Sequence, residues 1–378
     1  MKIAFCLFKY FPYGGLQRDF LRIARTCHQR GHEIHVYTMC WEAELEPGFK
    51  LHIIAPHGWQ NHARNWSFAE KVKSYLAAGH YDLVIGFNKM PYLDMYYAAD
   101  VCYQSRVREL HWPLYRLLPR YRRLVALEES IFARGKPTEI LLISPMQQQD
   151  FVRYYQTEPT RFHLLPPGIS KDRIAPPNAA EIRTSIRQTH GLAVDDILLI
   201  LVGSGFKTKG LDRAIRGLAS LPTVLKDRAQ LFVIGQDNPA SFKKLANRLH
   251  VGQHVHFLGG RPDVPHYLLA ADLLLHPAYH ENTGTVLLEA IVSGLPVLTV
   301  DICGYAHFVM EANAGLVLTS PFRQAEFNIA LQKMLLSPMR IQWQQNGLEF
   351  AKNADIYSLL EKTTELIEYR GRQHVSAS

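Results

Sequence analysis

Short apolar segments alternate with helix-like patterns from the first residues of the chain. Residues 3–8 are apolar and predict a strand. Apolar residues then recur at helical spacing until Gly31 ends the pattern, at Leu16, Phe20, Ile23, Ala24 and Cys27. Further strands are predicted at residues 33–38, 83–87, 139–144 and 164–168. This alternation of strand and helix is typical of a parallel, doubly wound sheet.

A second series of the same kind follows a proline-rich segment. Prolines are dense over residues 166–177, and they favour neither helix nor strand there. Strands are then predicted at residues 197–202, 231–234, 255–258, 272–276 and 296–300, and a helix at 356–367. We therefore predict an N-terminal α/β domain over residues 1–166, a C-terminal α/β domain over 167–355, and a last helix and tail over 356–378.

Length and composition agree with two globular domains. The chain has 378 residues, against roughly 150 for a typical domain. Hydrophobic residues make up 47% and charged residues 20%, which excludes disordered and fibrous classes. Open α/β sheets bind ligands outside the carboxyl ends of their strands. The cleft between two such domains is therefore the expected active site.

The charge balance is basic, and the cysteines are few. Lys and Arg number 42 against 34 Asp and Glu, so the net charge is +8, which suits nucleic acid, an anionic membrane surface or an anionic substrate. Five scattered cysteines without a CxxC pair argue against a disulfide framework and a zinc ribbon, and favour a reducing compartment. No signal peptide or run of about 18 apolar residues is found, so a soluble or peripheral cytoplasmic protein is expected.

A pair of glycines follows the first predicted strand. Gly14 and Gly15 let the backbone approach a ligand, and the helix that begins there offers free N–H groups suited to phosphate. Asp19 is predicted in the first turn of this helix. From the residues alone, Asp19 is either functional or a carboxylate that merely stabilises the helix N-terminus.

A loop with two lysines follows the most apolar strand. Residues 203–210 read GSGFKTKG and lead into a predicted helix, an arrangement suited to a diphosphate. The loop is not a dinucleotide fingerprint, because Thr208 stands where a glycine is required, and it is not a Walker A loop. A solvated basic turn is the alternative interpretation.

Two glutamates lie around the start of a short apolar helix. Glu281 precedes this helix and Glu289 lies inside it, where a buried carboxylate needs a partner. The pair could address two parts of one extended ligand, with free N–H groups near Gly284 between them. Two surface glutamates are the alternative. No spacing of a zinc site, no nucleophile elbow and no Asp-x-Asp pair is present, so we expect no metal.

A basic segment near residues 103–134 accounts for much of the excess charge. Residues 106–123 contain six arginines and a single acidic residue, Glu109. The arginines are Arg106, Arg108, Arg116, Arg120, Arg122 and Arg123. Trp112, tyrosines and leucines are interleaved with them, which predicts a segment lying on an anionic membrane with Trp112, Arg116, Arg120 and Arg123 facing it. A helix packed on its own domain with a solvated basic face is the alternative. No nucleic-acid module is found, so we expect no nucleic-acid partner.

The glycine pair, the Lys-Gly loop and the two glutamates occur together and in this order. The combination resembles the retaining glycosyltransferases of family 4, which have the GT-B fold. Five stretches are similar to the lipopolysaccharide core glucosyltransferase I group, at residues 8–20, 86–90, 98–103, 165–169 and 303–307. The resemblance spans essentially the whole chain. It implies two Rossmann-like doubly wound domains facing across a cleft, with a C-terminal helix returning to the N-terminal domain.

The resemblance also implies the reaction. Glucose would pass from UDP-glucose to a heptose of the lipid-anchored lipopolysaccharide inner core, through an α-1,3 linkage with retention, without a metal or a cofactor beyond the UDP-sugar. Glu289 would bind the ribose hydroxyls and Glu281 the hydroxyls of the donor sugar. Lys209, helped by Arg173, would neutralise the diphosphate and stabilise the departing UDP. The N-terminal domain would bind the acceptor and face the cytoplasmic side of the bacterial inner membrane.

Further roles follow from the same resemblance. Gly15 would let its loop approach the phosphates, and Asp19 would lie near the reacting hydroxyl as a candidate base. Backbone contacts to the donor would come from Gly284, Thr285 and Val286. Retention can proceed by double displacement or by attack on the same face, and no carboxylate is assigned as a nucleophile.

The sequence departs from the family at the diphosphate. The family often has an arginine at the position of Ser204, and its glucosyltransferases can carry one at the position of Thr208. One cation is thereby lost, and Lys207 is the neighbour that could compensate. The alternatives to UDP-glucose are UDP-galactose or a UDP-N-acetylhexosamine. The alternative to an enzyme is a non-catalytic protein that binds a nucleotide-sugar or an anionic lipid.

Overall fold

The computed structural model describes residues 1–12, 14–109 and 113–377, and the chain divides into two compact units. The first unit holds residues 1–168 and 358–378, and the second holds residues 169–357. The boundary therefore falls inside the proline-rich segment. The C-terminal helix belongs to the first unit.

The first unit is built on a sheet of seven strands in the order β3-β2-β1-β4-β5-β6-β7. The strands are β1 (Lys2–Cys6), β2 (Glu33–Thr38), β3 (Phe49–Ile53), β4 (Leu83–Gly86), β5 (Met95–Ala98), β6 (Glu139–Leu142) and β7 (Phe162–Leu164). All their recorded pairings are parallel, and Phe5 of β1 lies between Val36 of β2 and Ile85 of β4. Because helices cover both faces of such a sheet, its central strands read as continuous apolar runs.

Six α-helices of the described residues cover this sheet. They are α1 (Gly15–Gln29), α2 (Asn61–Gly79), α3 (Tyr103–Glu109), α4 (Pro119–Phe132), α5 (Met146–Tyr155) and the C-terminal α15 (Leu359–Ala377). Short 3-10 helices lie at Pro113–Leu117 and Pro159–Arg161. Leu359 and Ile367 of α15 join the core formed by Phe20 and Ile23 of α1, which ties the C-terminus of the chain to the first unit.

The second unit has a sheet of six strands in the order β10-β9-β8-β11-β12-β13, again with parallel pairings. The strands are β8 (Ile197–Val202), β9 (Ala229–Ile234), β10 (Val255–Gly259), β11 (Leu273–His276), β12 (Val297–Val300) and β13 (Gly315–Leu318). Alternate residues of β8 point to opposite faces. Leu198 and Ile200 join one core cluster, and Leu199 and Leu201 join the other.

Nine α-helices of the described chain surround this second sheet. They are α6 (Ala179–Thr189), α7 (Leu211–Ala219), α8 (Thr223–Lys226), α9 (Ala240–Arg248), α10 (Val264–Ala270), α11 (Thr285–Val292), α12 (Ala306–Glu311), α13 (Gln324–Leu336) and α14 (Arg340–Asn353). Short 3-10 helices lie at Lys171–Arg173 and Gly252–His254. The two glycine-containing loops that the sequence singled out lead into α7 and α11 of this set.

The sequence-based prediction of elements is wrong at a few places. The strand expected at residues 164–168 lies at Phe162–Leu164, and the last helix begins at Leu359 and runs to Ala377 instead of spanning 356–367. Three strands were not predicted, β3, β5 and β13. β3 and β13 are edge strands with partly exposed residues, so their hydrophobic pattern is weak. β5 is fully buried, but its four residues Met95–Ala98 include two tyrosines and no β-branched residue.

Candidate active site

Three ionisable side chains meet in the second unit near the carboxyl ends of β8 and β11. Lys209 lies in the loop after β8, His276 is the last residue of β11, and Glu281 lies between β11 and α11. His276 Nε2 lies 3.2 Å from Glu281 Oε2, and Lys209 Nζ donates to the same carboxylate oxygen. The neighbouring strands β8 and β11 pair in parallel, which brings the loops after them together. We call these three residues the Lys209–His276–Glu281 cluster.

The environment of Glu281 keeps its carboxylate charged. Burial is the largest influence on the pKa of Glu281 and acts to raise it, since the side chain is only 11% exposed. The hydrogen bond from His276 and the positive charge of Lys209 outweigh burial and hold the pKa at about 2. His276 is fully buried, so its Nε2–H donates to Glu281 from a fixed position.

Close packing fixes the loop that carries Lys209. Gly210 has a φ of +77°, and a Cβ at this residue would lie 1.9 Å from the carbonyl oxygen of Pro277. The backbone N–H of Tyr279 donates to the carbonyl of Thr208 at 2.8 Å. The loop over residues 203–210 is thereby held against residues 277–279. This contact is what places Lys209 beside Glu281.

The N-terminus of α11 lies a few residues after Glu281 in the chain and offers free backbone N–H groups. Gly284 has a φ of +79° and occupies the cap position before Thr285. The N–H of Leu287 donates to the carbonyl of Gly284 at 2.8 Å, whereas the N–H groups of Thr285 and Val286 precede the first helical hydrogen bond. These donors and the helix dipole favour an anionic group at this end.

Arg173 and Glu289 form a second charged pair of this unit. Arg173 Nε lies 3.9 Å from Glu289 Oε1, and the two side chains are 23% and 14% exposed. Arg173 also lies 3.6 Å from Asp172 Oδ1. The structure thus brings Arg173 to Glu289 and Lys209 to Glu281, so each predicted cation has a predicted glutamate as a partner.

Lys207, the neighbour suggested from the sequence as a compensating cation, is itself paired in this structure. Its ammonium group donates to Asp212 Oδ2 at 2.8 Å and to the hydroxyl of Tyr279 at 3.1 Å. The Tyr279 hydroxyl donates to the same Asp212 oxygen at 2.9 Å. Asp212 therefore already neutralises Lys207, which is 67% exposed.

In the first unit, Gly15 and Asp19 both lie on α1. A Cβ built on Gly15 would meet no atom within 4 Å, so the space beside it is open. Asp19 is the fifth residue of α1 and not a first-turn residue as predicted, because the helix begins at Gly15. The Tyr97 hydroxyl donates to Asp19 Oδ2 at 3.0 Å. Burial raises the pKa of Asp19, although Arg18, the Tyr97 hydrogen bond and Arg22 oppose that rise.

Within the predicted membrane-facing segment, residues 110–112, and therefore Trp112, lie outside the described residues. Arg116, Arg120 and Arg123 are exposed. Three leucines interleaved with them are also exposed, Leu114 at 69%, Leu117 at 63% and Leu118 at 47%. The later part of α4 is buried, so this helix packs on its unit by its C-terminal half and exposes its N-terminal half.

The described residues contain neither a candidate metal-binding group nor a candidate membrane-spanning helix. In that part of the chain, His, Cys, Asp and Glu nowhere form a group of three or more that could hold a metal ion. Over the same residues, no helix combines the length and the apolar character needed to cross a bilayer.

Sequence reasoning missed the residues that donate hydrogen bonds to two of the predicted carboxylates. His276 holds Glu281, and Tyr97 holds Asp19. Both lie at or near the carboxyl ends of parallel strands, where ligand sites of α/β sheets occur. His276 ends a predicted strand, so its position could have identified it as a site residue. Tyr97 could not be identified in this way, because its strand β5 was not predicted.

Comparison with known proteins places the chain in a family. The family model described as Glycosyltransferase Family 4 matches residues 13–173, and the model described as Glycosyl transferases group 1 matches residues 182–350. The lipopolysaccharide glucosyltransferase WaaG of Escherichia coli strain K12 is 48% identical over 97% of this chain and 98% of its own length.

Solved structures agree with this assignment. The crystal structure of WaaG, a glycosyltransferase involved in lipopolysaccharide biosynthesis, matches with a TM-score of 0.91 at 48% identity, over 97% of this chain and 99% of that one. Anabaena HepE, solved in complex with UDP-glucose, shares the fold with a TM-score of 0.73 at 18% identity, over 98% of this chain and all of that one. The predicted GT-B fold is confirmed, and the chain belongs to the WaaG family of glycosyltransferases, within glycosyltransferase family 4.

Proposed function

We propose that the protein transfers glucose from UDP-glucose to a heptose of the lipopolysaccharide inner core, with retention and without a metal. The similarity to the lipopolysaccharide glucosyltransferase WaaG supports the sugar and the pathway. The observation that carries the proposal is the Lys209–His276–Glu281 cluster beside the N-terminus of α11. It combines a cation for a diphosphate with a charged acceptor for hydroxyl groups.

The proposal gives Lys209 and Glu281 linked roles. In the structure, the Lys209 ammonium group is held by the Glu281 carboxylate. A diphosphate carries more negative charge than one carboxylate, so bound UDP would attract Lys209 to its phosphates. Glu281 would then accept hydrogen bonds from the hydroxyls of the glucosyl group. When the bond between the anomeric carbon and the phosphate oxygen breaks, the charge that develops on UDP would be stabilised by Lys209, Arg173 and the N–H groups of Thr285 and Val286.

The remaining roles are assigned in the same way. Glu289 would accept hydrogen bonds from the ribose hydroxyls, and Gly284 would let the backbone approach the donor. Gly15 would do the same for the phosphates. Asp19 would accept the proton of the acceptor hydroxyl, a role that its raised pKa suits, because a base works best when its pKa is nearer to the working pH.

A transfer assay with matched lysine variants tests the donor site. The protein is incubated with a panel of UDP-sugars and truncated core lipopolysaccharide, and the mass increment and linkage of the product are read. Glucose transfer from UDP-glucose is the expected result. Lys209→Ala and Glu281→Ala should lower transfer by several orders of magnitude, whereas Lys207→Ala should stay near the wild type because Asp212 already neutralises Lys207.

Three outcomes would overturn parts of this proposal. Near wild-type transfer by Glu281→Ala would show that the site is wrong. Transfer of galactose or an N-acetylhexosamine instead of glucose would replace the donor. Tight UDP binding without turnover on any heptosylated acceptor would favour a non-catalytic nucleotide-sugar or anionic-lipid binding protein.

We also propose that the protein lies on the cytoplasmic face of the bacterial inner membrane. The exposed arginines at positions 116, 120 and 123 lie in the same stretch as the exposed leucines at positions 114, 117 and 118, which suits the headgroup region of an anionic bilayer. Sedimentation with anionic liposomes tests this proposal. The triple variant Arg116→Gln, Arg120→Gln and Arg123→Gln should lose most of the binding, and equal binding by variant and wild type would refute the idea.

A further inference from the structure

A cavity of about 270 Å³ opens in the first unit where β1, β4 and β5 end. Its walls include Phe8 after β1, Asn88 after β4, and Asp100 and Tyr103 after β5, with Asn65 and Arg106 from helices α2 and α3. The strand order β3-β2-β1-β4-β5 reverses its direction between β1 and β4. Open α/β sheets bind ligands in the crevice at such a reversal. We call this space the switch-point cavity.

Several polar groups of the switch-point cavity are available to a ligand. Among the described residues, no hydrogen bond or ion pair joins the side chains of Asn65, Asp100 or Arg106 to a partner. The Asn88 side-chain oxygen accepts the backbone N–H of Phe8 at 2.7 Å, which fixes the amide and leaves its NH₂ group as a donor. The cavity thus offers two amides, one carboxylate and one guanidinium group.

A buried ion pair holds the wall of the cavity in place. Lys89 Nζ donates to Glu128 Oε1 at 2.5 Å and to the carbonyl of Val101 at 2.7 Å. Glu128 is fully buried and also accepts the backbone N–H groups of Tyr103 at 2.9 Å and Gln104 at 3.2 Å. Residues 101–104 are therefore fixed before any ligand arrives, which lowers the cost of binding.

Two larger cavities do not have these properties. One of about 530 Å³ lies against α4 and α5, away from the carboxyl ends of the strands. Another of about 400 Å³ contains Arg183 and Arg340, which already pair with Asp272 in its wall, since Asp272 Oδ1 lies 2.7 Å from Arg183 and 3.2 Å from Arg340. Asp272 and Pro296 directly precede β11 and β12, so this cavity lies away from the carboxyl ends of these strands. Size alone does not identify the ligand site here.

We propose that the switch-point cavity binds one ring of the acceptor sugar, an inference that rests on the proposed function. Asp100 and the two amides bind neighbouring hydroxyl groups, because a carboxylate accepts from them and an amide both donates and accepts. Phe8 and Tyr103 supply apolar surface for the ring. Arg106, exposed at the rim, pairs with a phosphate or carboxylate carried next to that ring. The volume lies below the ~300–1,000 Å³ of pockets for larger ligands, so the cavity takes one ring.

The position of the cavity agrees with an acceptor that is anchored in a membrane. Leu124 and Leu127 of α4 form part of its wall. The preceding turns of the same helix carry the exposed Arg120 and Arg123. A membrane surface bound by this end of α4 would therefore lie close to the cavity that receives the sugar.

Kinetics with a soluble acceptor test the inference on the full chain. The acceptor is a deacylated core oligosaccharide ending in heptose, so membrane binding does not enter. Asp100→Asn should raise the KM for this acceptor about tenfold or more, the size expected for one lost hydrogen bond to a charged group. The KM for UDP-glucose and the hydrolysis of UDP-glucose without acceptor should stay within about twofold. Arg106→Gln should raise the acceptor KM only when the oligosaccharide carries a phosphate or carboxylate.

Matched controls and a binding measurement keep the test decisive. Glu70→Gln and Arg153→Gln change exposed charges outside the cavity and should leave every constant unchanged. An unchanged acceptor KM in both Asp100→Asn and Arg106→Gln would overturn the inference. If the wild type transfers no glucose, the proposed function fails, and saturation-transfer NMR with the same oligosaccharide judges the cavity separately. Binding that Asp100→Asn weakens would support the cavity, and absent or unaffected binding would overturn it.

Discussion

Replacing Glu281 by glutamine removes the charge that Lys209 and His276 hold in the second unit. The pKa of Glu281 is held at about 2, against an ordinary value of 4.5, because the His276 hydrogen bond and the Lys209 charge outweigh burial. A pKa lowered this far corresponds to about 3 kcal/mol of folding free energy at neutral pH. Solvent screens little of this, since the Glu281 side chain is 11% exposed.

Proton linkage determines the direction of the effect. A carboxyl group with a lowered folded pKa stabilises the fold above its unfolded pKa, and this stabilisation is lost as the pH falls toward the folded pKa. For Glu281 the window runs from pH 4.5 down to about pH 2. Glu281→Gln has no titrating group at this position. The difference in unfolding free energy between wild type and variant should therefore shrink as the pH falls.

Urea unfolding of fluorotryptophan-labelled protein measures this difference. Trp343 is the one tryptophan of residues 169–357 and is 8% exposed, so its fluorine NMR signal reports on the second unit. Between about pH 6 and about pH 3.5 the difference should fall by roughly 1 to 2 kcal/mol. The loss of stability from leaving Lys209 without its partner is the same at both pH values, so it does not contribute to this fall in the difference in unfolding free energy.

A difference that stays constant with pH would refute the reasoning, because it would mean that Lys209 and His276 do not keep Glu281 ionised. Glu349→Gln is a matched control. Glu349 lies on α14 of the same unit and pairs with Lys352 at 3.1 Å, but both side chains are exposed. Water screens such a pair, so its removal should change unfolding little at either pH.

Two further predictions concern the remaining parts of the site. Tyr97→Phe removes a hydrogen bond that opposes the raised pKa of Asp19, so that pKa should rise further and the acid side of the pH profile of kcat/KM should move to higher pH. Tyr96→Phe on the same strand should leave the profile unchanged, and an identical shift in both variants would contradict the assignment. Gly210→Ala should lower the melting temperature of the second unit more than Gly205→Ala does. Both glycines have positive φ, but only at Gly210 would the new Cβ meet a backbone oxygen, and equal melting temperatures would contradict this argument.

The sequence was most informative where local pattern and chemistry coincide. The predicted strands at residues 33–38 and 197–202 agree with β2 and β8 residue for residue. Residues 197–202 are a continuous apolar run, and residues 33–38 are rich in β-branched and aromatic residues, which favour a strand. The glycine-containing loops were found because they follow such strands. β3, β5 and β13 were missed, since a short or half-exposed strand is stabilised by its neighbours in the sheet.

The contacts of the candidate site depend on the tertiary structure. Lys209 and Glu281 are 72 residues apart, and Asp19 and Tyr97 are 78 apart. The resemblance named three of these four residues, but it gave no pairing between them. Lys207 is the clearest example of a contact that the sequence did not predict. The sequence suggested it as a second cation for the diphosphate, and in the fold its ammonium group pairs with Asp212.

The sequence by itself determined the two α/β halves, their order, and the residue types at the ends of the main strands. These features follow from hydrophobic periodicity and from the conformational preferences of glycine and proline, which act over a few residues. Only the tertiary structure decided which cation meets which carboxylate, which of these groups stays charged, and where a cavity of sugar-ring size opens. Those properties depend on burial and on distances between residues far apart in the chain, which packing of the whole unit sets.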